Sequence, residues 1–417
     1  MRTTIYPEMA WIKQKLNDTK LLNIEDCIHQ QINALSIQNK IQKGESVALA
    51  VGSRGIHDID HVVKSCISIL KHYDLKPVII PAMGSHGGAT SEGQMAVLEK
   101  LSITKQSMGC DIDADMGVTI LTQTASDVPI YFSKRALEAN HIVVINRVKP
   151  HTKFSAPIES GLCKMLTIGL GKKKGAELFH QAAVNHSFHL IEQCAELIIT
   201  KCPILFGVAI LENGYGQLAS IDIVLPEQLI EQEKKLLQKA YQMIGQIPFD
   251  PIDILIIDYI GKNISGIGMD SNVTGRHRDI VGNFFHPPHV KRIFVRDLTP
   301  ESQGNANGIG LADVTTTRCV NAIDRTKTYI NAITALSPEK AAIPMFFDTD
   351  QECVDVCLQT IGLNSFDQAK IVKINNTMTL DRMLVSRALE NEIQQNLLLE
   401  QMTPWTALTF MDGQLIC

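Results

Sequence analysis

The sequence predicts an α/β protein of two lobes, with a mostly parallel sheet in the first. Three observations carry that prediction. Short apolar runs alternate with helical patterns through the amino-terminal half, as in repeated strand–helix–strand units. At 417 residues the chain exceeds one ordinary domain. A break at Ile247-Pro248-Phe249-Asp250-Pro251 separates two such patterns, because proline resists both helix and strand. The expected layout is a first domain at 1–246 and a second α/β domain at 252–417, the last residues packing back on the first. The active-site cleft is expected between the lobes.

Element by element, Ser46–Val51 reads as a buried strand. The helix after it sets Val62, Val63, Cys66, Ile69, Leu70 and Tyr73 on one face. Asp58 or Asp60 is expected to cap it. Pro77 introduces a strand at 78–80, followed by the turn Gly84-Ser85-His86-Gly87-Gly88 and a helix from near Ser91. Ser133 caps a short helix over 134–140, which feeds a strong strand at 141–148 ending at Pro150-His151. A strand at 204–211 and an amphipathic helix over 226–242 complete the first pattern. In the second, strands are expected at 253–258, 291–297 and 369–374, and helices at 315–335, 350–362 and 380–397. Glycine-rich loops at 261–275 and 302–310 have the freedom to close over a ligand.

Composition removes several classes of function. Net charge is −5, so no basic stripe is available to neutralise nucleic-acid phosphates. The densest basic run, Lys172-Lys173-Lys174, reads as a solvated loop. No apolar stretch approaches the roughly 18–20 residues that span a bilayer, and the amino terminus leads to no signal core. Ten cysteines without a CxxC pair fit reduced thiols in a cytoplasmic protein. Cys353 and Cys357, four apart, read as small buried apolar residues.

The chemistry concentrates at strand ends. Arg54, His86 and His151 each sit just past the carboxyl end of a predicted parallel strand, the rim where open α/β sheets bind ligands. Histidine suits proton exchange at neutral pH. Arg54 can grip a carboxylate through two parallel hydrogen bonds, or pair with Asp58 or Asp60. Lys164, flanked by apolar residues, can serve as a desolvated amine nucleophile or covalent anchor. The alternative is a snorkelling surface lysine, or an amine held charged by Glu159. His180, sixteen residues on, could bracket a cofactor together with Lys164. His186 and His189 are read as structural. There is no HExxH or paired-cysteine pattern, so one histidine on a cofactor-held metal fits better than an all-protein zinc site. The run 169–175 matches neither a dinucleotide fingerprint nor a P-loop, and no GxSxG elbow occurs.

Taken in order, the pieces VGSRG, GSHGGAT, NRVKPHTKF, ESGLCKMLTIGLGKKKGAELFH and IGKNISGIGMDSNVTGR resemble the nickel-dependent lactate racemase family. The resemblance covers most of the first lobe and the start of the second. It implies a nickel-pincer nucleotide, of the pyridinium-3,5-bisthiocarboxylic acid mononucleotide type, joined covalently to Lys164. His180 would be the protein ligand to nickel, and Arg54 would bind the substrate carboxylate. His86 and His151 would flank the substrate as an acid/base pair, and Lys262 would help bind substrate or cofactor. The implied activity is racemisation or epimerisation of a small 2-hydroxy acid by hydride transfer. Two bases are needed because the keto intermediate is planar and can be approached from either face. Enzymes that build the nucleotide are implied partners. The chain departs from the family in its arginine motif, usually acidic and proline-containing, and in the glycine after His86. The His151–Lys164 interval is also longer. Those positions surround the substrate, which points to a 2-hydroxy acid other than lactate, such as a sugar acid. Two other readings stay open on the residues alone. One is a metal-dependent hydrolase or lyase with His86, His151 and His180 as ligands. The other is a non-catalytic carboxylate-binding protein closing on Arg54.

Overall fold

A computed structural model describes residues 6–53, 55–280, 284–285 and 287–416. They form two compact units. One holds Asp18–His151 and Ser155–Ile244. The other holds the described residues up to Asn17, the short piece Thr152–Phe154, and the chain from Gly245 onward.

The first unit is built on a six-stranded sheet. Its order is Asp111–Ile112, Lys76–Pro81, Ser46–Val51, His141–Arg147, Ile204–Glu212 and Leu218–Val224. Every neighbouring pair is parallel except the last. The central strands read as continuous apolar runs because helices cover both faces. Val47 to Val51 and Ile142 to Ile145 are almost wholly excluded from solvent. Helix Ile59–His72 buries Val62, Val63, Cys66, Ile69 and Leu70 as its periodicity requires. Asp58 sits at the expected cap position, but with φ 55° its side chain makes no cap bond. Its carboxylate turns to His57 Nδ1 at 2.9 Å. Ser133 does cap its helix, Lys134–Leu137, by accepting from the Ala136 amide. The sequence reading missed a half-buried hairpin, Val118–Gln123 with Pro129–Ser133.

In the second unit a parallel run of strands is extended by antiparallel ones. Met345–Phe347, Val314–Thr316, Val290–Leu298, Ile252–Ile260 and Ile371–Ile374 are parallel neighbours. Arg382–Ser386, Glu8–Gln14 and Leu399–Gln401 then follow antiparallel. Three expectations are corrected here. The strand Glu8–Gln14, expected within a domain spanning 1–246, belongs to this sheet because its Met9, Ala10 and Ile12 are buried there. The expected helix at 380–397 begins as a strand, since Met383, Leu384 and Val385 are buried on both faces between two neighbouring strands. The expected helix at 315–335 is a strand followed by two helices, Thr317–Asn321 and Arg325–Thr334, the second capped by Asp324. The proline-rich break is packed, for Ile247 and Phe249 are buried in this unit's core. The loops expected to close over a ligand are pinned turns. The Gly261 amide donates to Gly268 O at 2.8 Å, and Asn307 is buried.

No helix among the described residues is long and apolar enough to cross a membrane. All nine described cysteines are free, Cys353 and Cys357 buried among them. The site-bearing sheet depends on tight packing of the strand beside His141–Arg147. Phe206→Ala, at a fully buried position of that strand, is expected to cost about 3–5 kcal/mol. Urea denaturation of the full chain measures it.

Candidate active site

Three strands bring the site together. Ser46–Val51 is central, with Val51 opposite Pro81 on one side and Ile145 on the other. Their carboxyl ends are therefore level, and Ser53, His86 and His151 follow at the same rim. The chain then returns through the short helix Leu162–Lys164, a π-helical turn Met165–Gly169 and helix Lys172–His186, which brings in Lys164 and His180. This return passes close to the strand end beyond Pro81. A Cβ on Gly169 would lie 2.6 Å from Ala82 O, so only glycine permits the approach. Gly84, in the left-handed region with φ 57°, donates its amide to Gly169 O at 3.2 Å.

The result is a cavity of about 200 Å³ lined by Ser53, His86, Arg147, His151, Lys164 and His180, among others. No aspartate or glutamate is among its described lining residues. Four of the six side chains singled out from the sequence, His86, His151, Lys164 and His180, thus meet in one place. Arg54 lies outside the described residues. Lys262 belongs to the second unit, where Asn331 Oδ1 at 2.6 Å and the Gly266 carbonyl receive its ammonium. His186 and His189 are exposed, so neither is a core histidine.

Sequence reasoning missed several supporting groups. Ser53 Oγ is hydrogen-bonded to His86 Nδ1. Arg147, at the last position of its strand, enters the lining while its guanidinium pairs with Glu212. The strand-end rule that singled out His151 applies equally to Arg147. Glu159, read as a possible partner of Lys164, holds the loop that carries His151. It accepts from the His151 amide at 2.5 Å, the Ala156 amide at 3.0 Å and the Tyr241 hydroxyl at 3.0 Å. Burial pushes its carboxyl upward despite those donors. Glu233 lies under the Lys164 turn and accepts from the Cys163 amide at 2.9 Å.

Lys172 overturns the reading of 172–174 as a solvated loop. Its side chain is fully buried, and its ammonium donates to Pro81 O at 2.7 Å. That bond ties the end of the strand leading to His86 to the helix that carries His180. Burial brings the amine down to about 8, with Asp115 and Asp113 opposing the shift.

The donor set bears on which metal chemistry fits. Among the described residues no three His, Cys, Asp or Glu side chains gather to hold a metal ion. A hydrolytic site with His86, His151 and His180 all as ligands lacks that geometry. One imidazole and one lysine in a shared cavity do fit a cofactor that brings its own donors and is anchored through an amine.

Fold and site together define a mixed α/β protein with a histidine-rich, cation-lined cavity at the carboxyl edge of a parallel sheet. Residues 7–190 match the lactate racemase N-terminal domain. The lactate racemase apoprotein from Thermoanaerobacterium thermosaccharolyticum shares the fold. Its TM-score is 0.56 at 12% identity, over 88% of this chain and 94% of that one. A Thermotoga maritima protein of known crystal structure aligns with a TM-score of 0.49 at 17% identity, over 68% of this chain and 72% of that one. No curated protein sequence matches the chain.

The buried lysine generates a test of the site's construction. An unfolded Lys172 keeps its proton to about 10, whereas the folded chain releases it near 8. The unfolded state therefore binds more protons between those values, and stability rises with pH across that window, by up to about 3 kcal/mol. Lys172→Met should abolish the rise. Denaturation midpoints at pH 7.5 and 10 for both chains measure it.

Proposed function

We propose that this protein is a racemase or epimerase of a small 2-hydroxy acid, working with a nickel-pincer nucleotide anchored on Lys164. The observation that carries the reading is the shared cavity. It combines two side chains suited to proton transfer, an amine and a further imidazole, with no acidic group in its described lining. Such a lining favours an anionic ligand, because the charges facing it are positive or neutral.

Each residue then has a task. Arg54, three residues beyond the central strand, holds the substrate carboxylate, while Arg147 at the end of the neighbouring strand stays paired with Glu212. His86 and His151 come from separate strand ends and serve the two faces of the substrate carbon. One removes and keeps the hydroxyl proton, and the other, already protonated, gives its own proton to the oxygen when the configuration inverts. Ser53 orients the first histidine, and Glu159 fixes the backbone of the second. Lys164 anchors the nucleotide and His180 is the protein ligand to its metal. When bound, the nucleotide would supply nickel and would take up and return the substrate's carbon-bound hydrogen as hydride. The apolar wall of Met83, Met165 and Ile168 limits water in the cavity.

The test uses the full chain produced together with enzymes that build the nucleotide. Intact mass should show an adduct with bound nickel, and Lys164→Ala should lose it. His86→Ala and His151→Ala should keep the adduct. Each should lower the loss of optical rotation of a 2-hydroxy acid by about 10²–10⁴-fold. A wild-type chain that carries no adduct, or one that survives in Lys164→Ala, defeats the proposal. Ligand affinity without turnover in any 2-hydroxy acid would point instead to a binding protein.

A further inference from the structure

Two catalytic-site segments are held from behind by one helix. Helix Leu229–Met243 packs under the stretch that runs from the His151 loop to Lys164. Near its start, Glu233 is almost fully buried and accepts the Cys163 amide. Its other oxygen, Oε1, is buried with no hydrogen-bond partner among the described residues. The carboxylate presses against Gly161, where a Cβ would collide with it. Near the helix end, the Tyr241 hydroxyl donates to Glu159, the same carboxylate that receives the His151 amide. The two contacts stand eight residues apart, roughly 12 Å along the helix axis. They grip the segment 159–163 at its two ends. The helix is itself pinned, since Lys234 pairs with Glu192 of helix Leu190–Lys201 at 2.6 Å.

We infer that helix Leu229–Met243 is a positioning brace, with Glu233 setting the Lys164 turn and Tyr241, through Glu159, setting the His151 loop. The inference rests on the racemase reading for its purpose, but the brace itself is a property of the chain without cofactor. Glu233 and Tyr241 are absent from the described cavity lining, so they act through the residues they hold. Burial lifts the Glu233 carboxyl to about 7. The groups facing it are the Cys163 thiol and, one layer out, the Glu192–Lys234 pair. Near neutral pH the contact changes from a neutral to a charge-assisted hydrogen bond, which is the stronger kind.

Amide hydrogen exchange on the purified full chain tests the brace segment by segment. Glu233→Ala should speed exchange of the Cys163–Leu166 amides by about tenfold, leaving the His151 loop unchanged. Tyr241→Phe should do the reverse, loosening 151–156 and sparing 163–166. Glu233→Gln retains an acceptor for the Cys163 amide and should restore protection. It should also erase an inflection near pH 7 that the wild type shows at Cys163. Should Glu233→Ala fail to fold, Tyr241→Phe and Glu233→Gln still decide the matter. Equal acceleration at both segments, or none at either, overturns the inference. Because exchange is read without the nucleotide, that outcome is separate from failure of the racemase reading, which the Lys164 adduct tests.

Discussion

The site exists because three parallel strands share one register. Residue Val51 stands beside Pro81 and Ile145 in the same row of the sheet. Backbone hydrogen bonds fix that row, and the residues after it emerge together. A slip of one position would turn every side chain of the central strand to the opposite face. The strand's neighbours and covering helices leave no solvated face to absorb such a slip. The apolar runs SVALAV and HIVVIN are therefore more than core. They are the ruler that sets Ser53, His86, Arg147 and His151 at one height.

Charge is distributed in layers around the cavity. The lining presents Arg147, Lys164 and imidazoles, while the nearby carboxylates stay out of the described lining. Glu212 pairs with Arg147, Glu159 is spent on backbone amides, and Glu233 is spent on the Cys163 amide. Each acid satisfies donors that would otherwise be buried and unmatched, at the cost of its own desolvation. A carboxylate moved into the lining would neutralise a cation needed by an anionic ligand. Lys172 shows the complementary solution for a buried cation. A strand-end carbonyl receives it, and the bond joins two segments that both contribute to the cavity.

Most of the cavity was legible because its residues follow a positional rule. Strand ends can be read from apolar runs, so His86 and His151 could be named before any coordinates. Lys164 drew notice through its apolar flanks and His180 through its distance from Lys164, and the family resemblance gave both their expected roles. What escaped the reading depends on long-range contacts. Glu233 lies on an amphipathic helix where its spacing gives no sign that it faces inward, and seventy residues separate it from Cys163. Lys172 looks like one of three solvated lysines until Pro81 O is found beside it. The strand Arg382–Ser386 reads as helical because strong helix formers surround it, and only pairing with Glu8–Gln14, at the other end of the chain, decides the matter. The amino-terminal strand was invisible for the same reason.

The pairing of Ser53 with His86 separates this chain from the acidic motif its family resemblance would suggest. A carboxylate beside an imidazole Nδ1 can only accept, so it holds the ring in the tautomer with Nδ1 protonated. A hydroxyl both donates and accepts. Ser53 can therefore satisfy Nδ1 whether or not that nitrogen bears the proton, and the opposite nitrogen is free to be donor or acceptor in turn. On the proposed reading, a proton carrier serving one face of a racemising carbon must take a proton in one direction and give it in the other. One tautomer serves both directions, because Nδ1 keeps its proton while the opposite nitrogen takes one up and gives it back, and Ser53 can hold that tautomer by accepting from Nδ1–H without adding a charge. The glycine before Ser53 completes the arrangement. A Cβ on Gly52 would press within 3.3 Å of Asn146 Oδ1 and the Met165 methyl, so a larger residue there would push on two side chains that line the cavity.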